Sequence, residues 1–148
     1  MPKLDITLVP ERNSTSYPEP FRAAVSGRFW RALGQAAGLT QFGVNLVRLE
    51  PGAWSSQRHW HDDEDEFLVM LSGEAVLVED EGETLLRPGD CAAWPAGARN
   101  GHHLRNESDS DCVFVVVGSG AGGAGGYSDI DMIWTADGKF RRKDGSEF

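Results

Sequence analysis

Residues 58–73 read RHWHDDEDEFLVMLSG and contain the features that decide the predicted fold. His59 and His61, two of the four histidines, are followed by five consecutive acids and then by an apolar run. On a β-strand, residues i and i+2 point to the same face, so the two imidazoles are expected side by side, with Trp60 on the opposite face. Neutral imidazole binds Zn, Cu, Fe and Ni, so the pair predicts the beginning of a metal site. An isolated H-x-H sequence more often consists of two ordinary surface histidines.

The positions of the remaining histidines strengthen the metal interpretation. His102 and His103 are adjacent in the stretch PAGARNGHHLRN, so all four histidines fall into two clusters. Glu66 comes five residues after His61, at the start of an apolar run. A hairpin at this point would fold its carboxylate back onto the imidazole face.

From about residue 41 the sequence is a succession of short apolar runs separated by Gly, Pro, Asp and Glu. The runs are FGVNLVRLE (42–50), EFLVMLSGEAVLVED (66–80), GETLLRPGDCAAWPAG (82–97), HHLRN (102–106) and CVFVVVGSG (112–120). Short strands at close spacing are typical of antiparallel sandwiches and barrels. Parallel strands need a helical crossover, and no segment between these runs has room for one. The sequence therefore predicts an all-β, antiparallel domain.

Two segments resemble the two sequence motifs of the cupins, which are small β-barrels that hold a metal. The first cupin motif is G-x5-H-x-H-x3,4-E-x6-G, and the second is G-x5-P-x-G-x2-H-x3-N. The matching residues are Gly52, His59, His61, Glu66 and Gly73 for the first motif, and Gly89, Pro95, Gly97, His102 and Asn106 for the second. The first match has one extra residue before His59, and the second has two extra residues before His102. The resemblance covers residues 42–117 and implies an antiparallel double-stranded β-helix, the jelly-roll or cupin barrel.

The resemblance also implies the ligand set, which is His59, His61, Glu66 and His102. The longer gap in the second motif leaves His103 as an alternative to His102. His102 keeps the spacing to Asn106 and shares a strand face with Leu104, whereas His103 shares a face with Arg105. Since an inward face is apolar, strand alternation favours His102.

Composition divides the chain into four parts. Residues 1–40 form an irregular N-terminal arm with at most one short helix, expected to pack on the barrel or on a partner subunit. Residues 41–118 form the barrel core, residues 119–126 a Gly-rich loop, and residues 127–148 a C-terminal extension that looks like edge strands or a swapped hairpin.

Charge and cysteine content restrict the partners and the compartment. The net charge of −9 disfavours nucleic acid and anionic membranes, which attract basic surfaces. Two cysteines make no disulfide framework, and the N-terminus, MPKLDITLVPERNST, lacks the apolar region of a secretory signal. The longest apolar run, residues 112–117, is far shorter than the ~18 residues that span a bilayer. We expect a cytoplasmic protein that binds neither nucleic acid nor membrane.

Two strands predict a homodimer. The runs at 66–72 and 112–118 are apolar on both faces. Both faces of such a strand must be shielded from solvent. One face packs on the barrel core, and the other is expected to pack against the N-terminal arm or another subunit.

Three imidazoles and one carboxylate would leave two positions open on a six-coordinate metal. The resemblance implies one divalent ion, which could be Fe, Mn, Ni, Cu or Zn, and a small-molecule substrate or ligand. The implied function is a metal-dependent enzyme, dioxygenase-, isomerase- or lyase-like, acting on a small organic or sugar-like molecule. The alternative is a non-catalytic binding or sensor module, and a third interpretation makes the metal structural.

The sequence identifies no catalytic residue. Cys91, Trp94 and Arg48 lie on predicted strands, and Arg99 and Asn100 lie on the loop before His102, but each type is more commonly structural.

Two further patterns predict neither a catalytic dyad nor a cofactor site. The chain has two tyrosines, Tyr17 and Tyr127, and shows no Tyr–His dyad. Gly118, Gly120 and Gly123 match G-x-G-x-x-G, but no helix start follows, so we expect no dinucleotide cofactor.

Overall fold

The computed structural model describes residues 3–118 and 123–148, and their regular secondary structure is almost entirely β-strand. The strands are β1 Arg28–Ala32, β2 Gly43–Leu49, β3 His59–His61, β4 Glu66–Ser72, β5 Ala75–Glu79, β6 Gly82–Leu86, β7 Cys91–Trp94, β8 His103–Arg105, β9 Cys112–Gly118, β10 Gly125–Tyr127, β11 Ile133–Trp134 and β12 Phe140–Arg141. One short α-helix, α1, spans Leu33–Ala36, and 3-10 turns occupy Ile6–Leu8 and Ala23–Val25. The predicted all-β fold with at most one short helix is confirmed.

The strands form three antiparallel sheets that build a barrel of the jelly-roll type. One wall is a five-stranded sheet in the order β1-β2-β9-β4-β7. The opposite wall combines the three-stranded sheet β6-β5-β8 with the four-stranded sheet β12-β11-β10-β3. These two smaller sheets meet at an antiparallel bridge between His59 and His102. The backbone N–H of each residue donates to the carbonyl of the other, at 3.1 and 2.9 Å.

Strand alternation determines which side chains enter the barrel. On β4, Leu68 and Met70 are 2% and 1% exposed, whereas Phe67 and Leu71 are 43% and 49% exposed. The inward residues of both walls meet in one core, whose members are Val47, Leu49, Ala53, Leu68, Met70, Ala75, Leu77, Leu86, Trp94, Leu104, Cys112 and Phe114. The core fills one end of the barrel and leaves the end at β3 for polar side chains.

The two ends of the chain meet beside the barrel in a second apolar cluster. Tyr17 and Val25 of the N-terminal arm pack against Tyr127 and Met132 of the C-terminal extension. The arm also supplies β1, which pairs with β2 along its whole length. β11 pairs antiparallel with β12, so the extension forms a short edge hairpin.

Part of the predicted Gly-rich loop, residues 119–122, lies outside the described residues. Its last two residues, Gly125 and Gly126, begin β10 and pair with β3. Within the described part of the chain, no helix has the length and apolar character needed to cross a membrane.

Candidate metal centre

Four polar side chains converge where β3, β4 and the start of β8 meet. Oε2 of Glu66 lies 3.0 Å from Nε2 of His61, 3.3 Å from Nε2 of His102 and 4.0 Å from Nε2 of His59. His59, His61 and Glu66 each offer a ligand atom within 4.8 Å of the others. The structure therefore brings together all four side chains that the cupin resemblance implies.

Backbone carbonyls orient two of the imidazoles. Nδ1 of His59 lies 3.0 Å from the carbonyl oxygen of Gln57, and Nδ1 of His102 lies 3.1 Å from that of Asn100. A carbonyl only accepts hydrogen bonds, so each Nδ1 carries the proton and each Nε2 keeps a lone pair. Both nitrogens face the carboxylate of Glu66, and this arrangement is favourable when a proton or a metal cation lies between nitrogen and oxygen. A cation held by Nε2 atoms and a carboxylate oxygen satisfies this condition.

The ionisation of these groups suits a cation. Burial lowers the pKa of His59 to about 4, so this imidazole is neutral at pH 7. Burial opposes charge on His61, but the carboxylates of Glu66 and Glu64 outweigh it and raise the pKa of His61. Burial also favours the neutral form of Glu66, yet contacts with His102 and His61 hold its pKa well below its usual range. The centre therefore contains a buried carboxylate anion beside imidazoles, a donor set that fits Fe, Mn, Ni, Cu or Zn.

The acidic run after His61 makes specific contacts. Oε2 of Glu64 lies 3.0 Å from Nδ1 of His61, on the side of the ring away from Glu66. Oδ1 of Asp65 accepts a hydrogen bond of 2.8 Å from the backbone N–H of Ala96. Glu64 therefore belongs to the surroundings of the centre.

His102 is held in place by an aromatic stack. The indole of Trp94 lies parallel to the imidazole, with centroids 3.7 Å apart and an interplanar angle of 6°. Oε1 of Glu79 accepts hydrogen bonds from Nε1 of Trp94 at 2.7 Å and from Nδ2 of Asn100 at 3.0 Å. Two of the weak catalytic candidates, Trp94 and Asn100, thus brace a residue of the centre.

His103 points elsewhere. Its Nδ1 lies 2.9 Å from the carbonyl oxygen of Ser56, and its ring packs edge-on against Trp54. The geometry places His102, and not His103, beside Glu66.

The other candidates lie outside the centre. Arg48 forms ion pairs with Glu11 and Asp111 and stacks on Phe29. Cys91 is exposed, and the side chain of Arg99 is 74% exposed.

The centre opens onto a cavity of about 800 Å³ that the sequence did not predict. The arm contributes Tyr17 and Arg28 to its wall, and the C-terminal extension contributes Tyr127 and Trp134. The ring of Trp134 lies 5.2 Å from that of His61 and 5.8 Å from that of His59. The terminal segments, which carry no motif, therefore form the walls around the four clustered side chains.

The comparisons with known proteins agree with this geometry. The Cupin_2 family model, described as a cupin domain, matches residues 45–118. A crystal structure of a sugar phosphate isomerase from a cupin superfamily, from Silicibacter pomeroyi, is 50% identical, with a TM-score of 0.95 over 99% of this chain and 96% of that chain. The chain belongs to the cupin superfamily. No match was found among the curated proteins.

Two more distant cupin-like structures show where the similarity ends. A proposed sugar phosphate isomerase from Acidithiobacillus ferrooxidans is 28% identical, with a TM-score of 0.72 over 78% of this chain and 76% of that chain. A polyketide cyclase from Streptomyces resistomycificus is 21% identical, with a TM-score of 0.65 over 80% of this chain and 78% of that chain. The second of these shares the fold alone, since one cupin barrel supports unrelated reactions.

Proposed function

We propose that this cupin is a metal-dependent enzyme that isomerises a small sugar-like molecule. The observation that carries the proposal is the convergence of His59, His61, Glu66 and His102 on the floor of a cavity of about 800 Å³. A metal that only stabilised the fold would need no cavity, because structural sites are closed by protein ligands. A ligand set that borders an open space is typical of catalytic sites.

The sugar phosphate isomerase from Silicibacter pomeroyi supports this reaction class, since it is 50% identical and covers 99% of this chain. An isomerisation between an aldose and a ketose moves hydrogen between adjacent carbons and consumes no second substrate. The hydrogen moves either as a hydride between the two carbons, with their oxygens held by a metal, or as a proton carried by a base, so the reaction needs one of these and groups that hold the sugar. When bound, a divalent metal would polarise the carbonyl and hydroxyl oxygens of the sugar.

The residues of the chain supply the remaining requirements. Burial raises the pKa of Tyr17 and of Tyr127, so both phenols stay protonated and can donate hydrogen bonds to sugar oxygens. Trp30 and Trp134 provide apolar walls that limit the entry of water. Nδ1 of His61 lies 3.0 Å from Oε2 of Glu64, and Nε2 of the same ring lies 3.0 Å from Oε2 of Glu66, so this imidazole sits between two carboxylates.

The test begins with metal content. Protein purified without added metal is analysed for Fe, Mn, Ni, Cu and Zn, alongside the matched variants His102→Gln and His103→Gln. We expect His102→Gln to be folded and metal-poor, and His103→Gln to keep the metal. Equal metal content in both variants would contradict the ligand assignment. Unfolding of His102→Gln that follows loss of metal would support a structural role instead.

Activity is then measured by NMR in D₂O with aldose and ketose phosphates and with the corresponding neutral sugars. We expect conversion between isomers by the metal-loaded protein and none by His102→Gln. Consumption of dioxygen or formation of cleavage products would indicate an oxygenase or a lyase.

A non-catalytic binding module is the second candidate. Among the described residues that line the cavity, Glu66 is the one carboxylate, so no separate carboxylate base stands beside the centre. Thermal stabilisation by a sugar without turnover, with any of the five metals, would establish this alternative.

A further inference from the structure

Arg28 is a cation without a counterion in the wall of the cavity. Its Nη1 donates a hydrogen bond of 2.8 Å to the carbonyl oxygen of Ser55, and its Nε–H is buried and has no acceptor in the described residues. No carboxylate of the described residues lies within salt-bridge distance of the guanidinium. A desolvated charge is costly unless it is paired, so a buried guanidinium without a carboxylate partner is unusual.

Burial lowers the pKa of Arg28. The phenols of Tyr17 and Tyr127 in the same cavity are neutral, since burial raises their pKa values, so they do not offset the charge of the guanidinium. Arg28 thus presents an uncompensated positive charge to the cavity, although the whole chain carries a net charge of −9.

Arg28 is tied to the candidate metal centre through one loop. Ser55 accepts the hydrogen bond from Arg28, and the hydroxyl of the next residue, Ser56, lies 3.1 Å from Nδ1 of His59. The guanidinium and the imidazole are thus fastened to adjacent residues, and both line the same cavity. One small molecule in a cavity of this size can touch both groups.

Hydroxyl groups accompany the guanidinium. Ser14, Thr15 and Ser16 of the N-terminal arm line the same cavity as Arg28. A phosphate monoester has three terminal oxygens that accept hydrogen bonds, and the planar guanidinium fork suits two of them at once. A carboxylate has two oxygens and would leave more of these donors unused.

We propose that Arg28 and the adjacent hydroxyls form a phosphate subsite, so that the substrate is a phosphate monoester with its phosphate at Arg28 and its sugar oxygens at the metal centre. The placement of the sugar oxygens at the metal centre rests on the proposed function. The phosphate subsite itself depends only on the residues of the cavity wall.

The first experiment measures the binding of inorganic phosphate by calorimetry. The protein is used both metal-loaded and after removal of the metal by a chelator, because metal-free protein cannot hold phosphate through an ion. The variants are Arg28→Gln, Arg28→Lys and, as the matched control for charge, Arg87→Gln, whose side chain is 65% exposed on the turn before β7. Sodium acetate is titrated as the carboxylate probe.

We expect wild type and Arg87→Gln to bind phosphate equally, and Arg28→Gln to bind it at least about tenfold more weakly, since charge-assisted hydrogen bonds are lost. Arg28→Lys should be intermediate because it keeps the charge and loses the fork. Equal affinity in wild type and Arg28→Gln, or no binding by wild type, would overturn the proposal. Tighter binding of acetate than of phosphate would identify a carboxylate subsite and would also overturn it.

A second measurement is made on the wild-type protein and needs only the charge-conserving variant for assignment. The buried Nε–H of Arg28 gives a resolvable signal in proton–nitrogen NMR spectra, assigned by its absence in Arg28→Lys. Phosphate should shift this signal in the wild-type protein, and an unchanged signal at saturating phosphate would contradict the subsite.

The two proposals can fail separately. Metal content is unaffected by Arg28→Gln if the subsite and the metal centre are independent, and this is measured on the same samples. Phosphate binding without isomerisation would leave the subsite in place and remove the isomerase. Isomerisation of neutral sugars and of their phosphates at equal kcat/KM, unchanged by Arg28→Gln, would remove the subsite and leave the isomerase.

Discussion

At the scale of single residues, Glu64 connects the acidic loop to the centre. Its carboxylate lies 3.0 Å from Nδ1 of His61, and its side chain is 17% exposed. An imidazole that binds a metal through one nitrogen usually donates a hydrogen bond from the other, and a carboxylate acceptor raises the basicity of the ring.

We predict that Glu64→Gln weakens metal binding by about 10- to 100-fold, because the amide lacks the negative charge that faces Nδ1 of His61. The measurement is a competition titration with a metal chelator. Asp63→Asn is the control, since it removes the same charge from the same loop, and among the described residues Oδ2 of Asp63 accepts one hydrogen bond, from the backbone N–H of Ala124 at 3.3 Å. An equal loss of affinity in both variants would show a general effect of charge and contradict the specific contact.

The sequence predicted some of these residues and missed others for a physical reason. His59, His61 and Glu66 follow strand alternation and motif spacing, which depend on local geometry. Glu64 lies in a turn, where successive side chains follow no fixed direction, so its contact with His61 was not predictable. His102 was preferred to His103 by alternation, and its ring is indeed the one beside Glu66.

At the scale of elements, β10 closes the second wall because it consists of glycine at two of its three positions. Gly125 pairs with His61 and Gly126 with Trp60. A Cβ on Gly125 would collide with the backbone oxygen of Trp60 and with the ring of Trp134. The strand therefore approaches β3 only because these side chains are absent.

We predict that Gly125→Ala lowers the free energy of unfolding by about 1–3 kcal/mol, the usual cost of overpacking. It should also weaken metal binding, because Trp134 and the backbone of β3 must both move. Gly118→Ala is the control, since a Cβ there would meet Asp65 at an ordinary 3.7 Å. Urea denaturation of both variants is the measurement, and equal stability would contradict the close approach.

Sequence periodicity identified the long strands and not this one. β4 and β9 are each seven residues long and mostly apolar, which produces a clear pattern. β10 has three residues and lies within a stretch whose glycines suggested a loop. Its pairing is a long-range property of β3 and Trp134, so no local pattern reveals it.

At the scale of the whole molecule, the outer face of the five-stranded sheet is apolar. Phe67 is 43% exposed and Leu71 is 49% exposed, beside Val69 and Val115, which are partly buried. A self-complementary apolar patch on an acidic protein favours association of identical copies about a two-fold axis.

We predict a homodimer through this face, with a mass twice the 16.2 kDa of one chain in light scattering after gel filtration. Phe67→Glu should produce a monomer, because it introduces charge into an apolar contact. Phe148→Glu, at a residue 46% exposed that packs against Phe21 and Arg142 and not on the five-stranded sheet, should leave the dimer intact. A monomeric wild type at micromolar concentration would contradict the prediction.

Recognition of the barrel from sequence succeeded because the motifs and strands of residues 45–118 are contiguous in the chain. The cavity could not be predicted from the sequence because its wall residues are not contiguous in the chain. Tyr17 and Arg28 come from one end of the chain and Trp134 from the other, and only the tertiary fold brings them to one wall. No spacing rule relates residues more than a hundred positions apart.

This division has a consequence for how the molecule can be altered. Substitutions in the terminal segments change the cavity wall while His59, His61, Glu66 and His102 keep their positions. Barrels that share these four side chains can therefore be given different ligand preferences through their termini, without rebuilding the candidate metal centre.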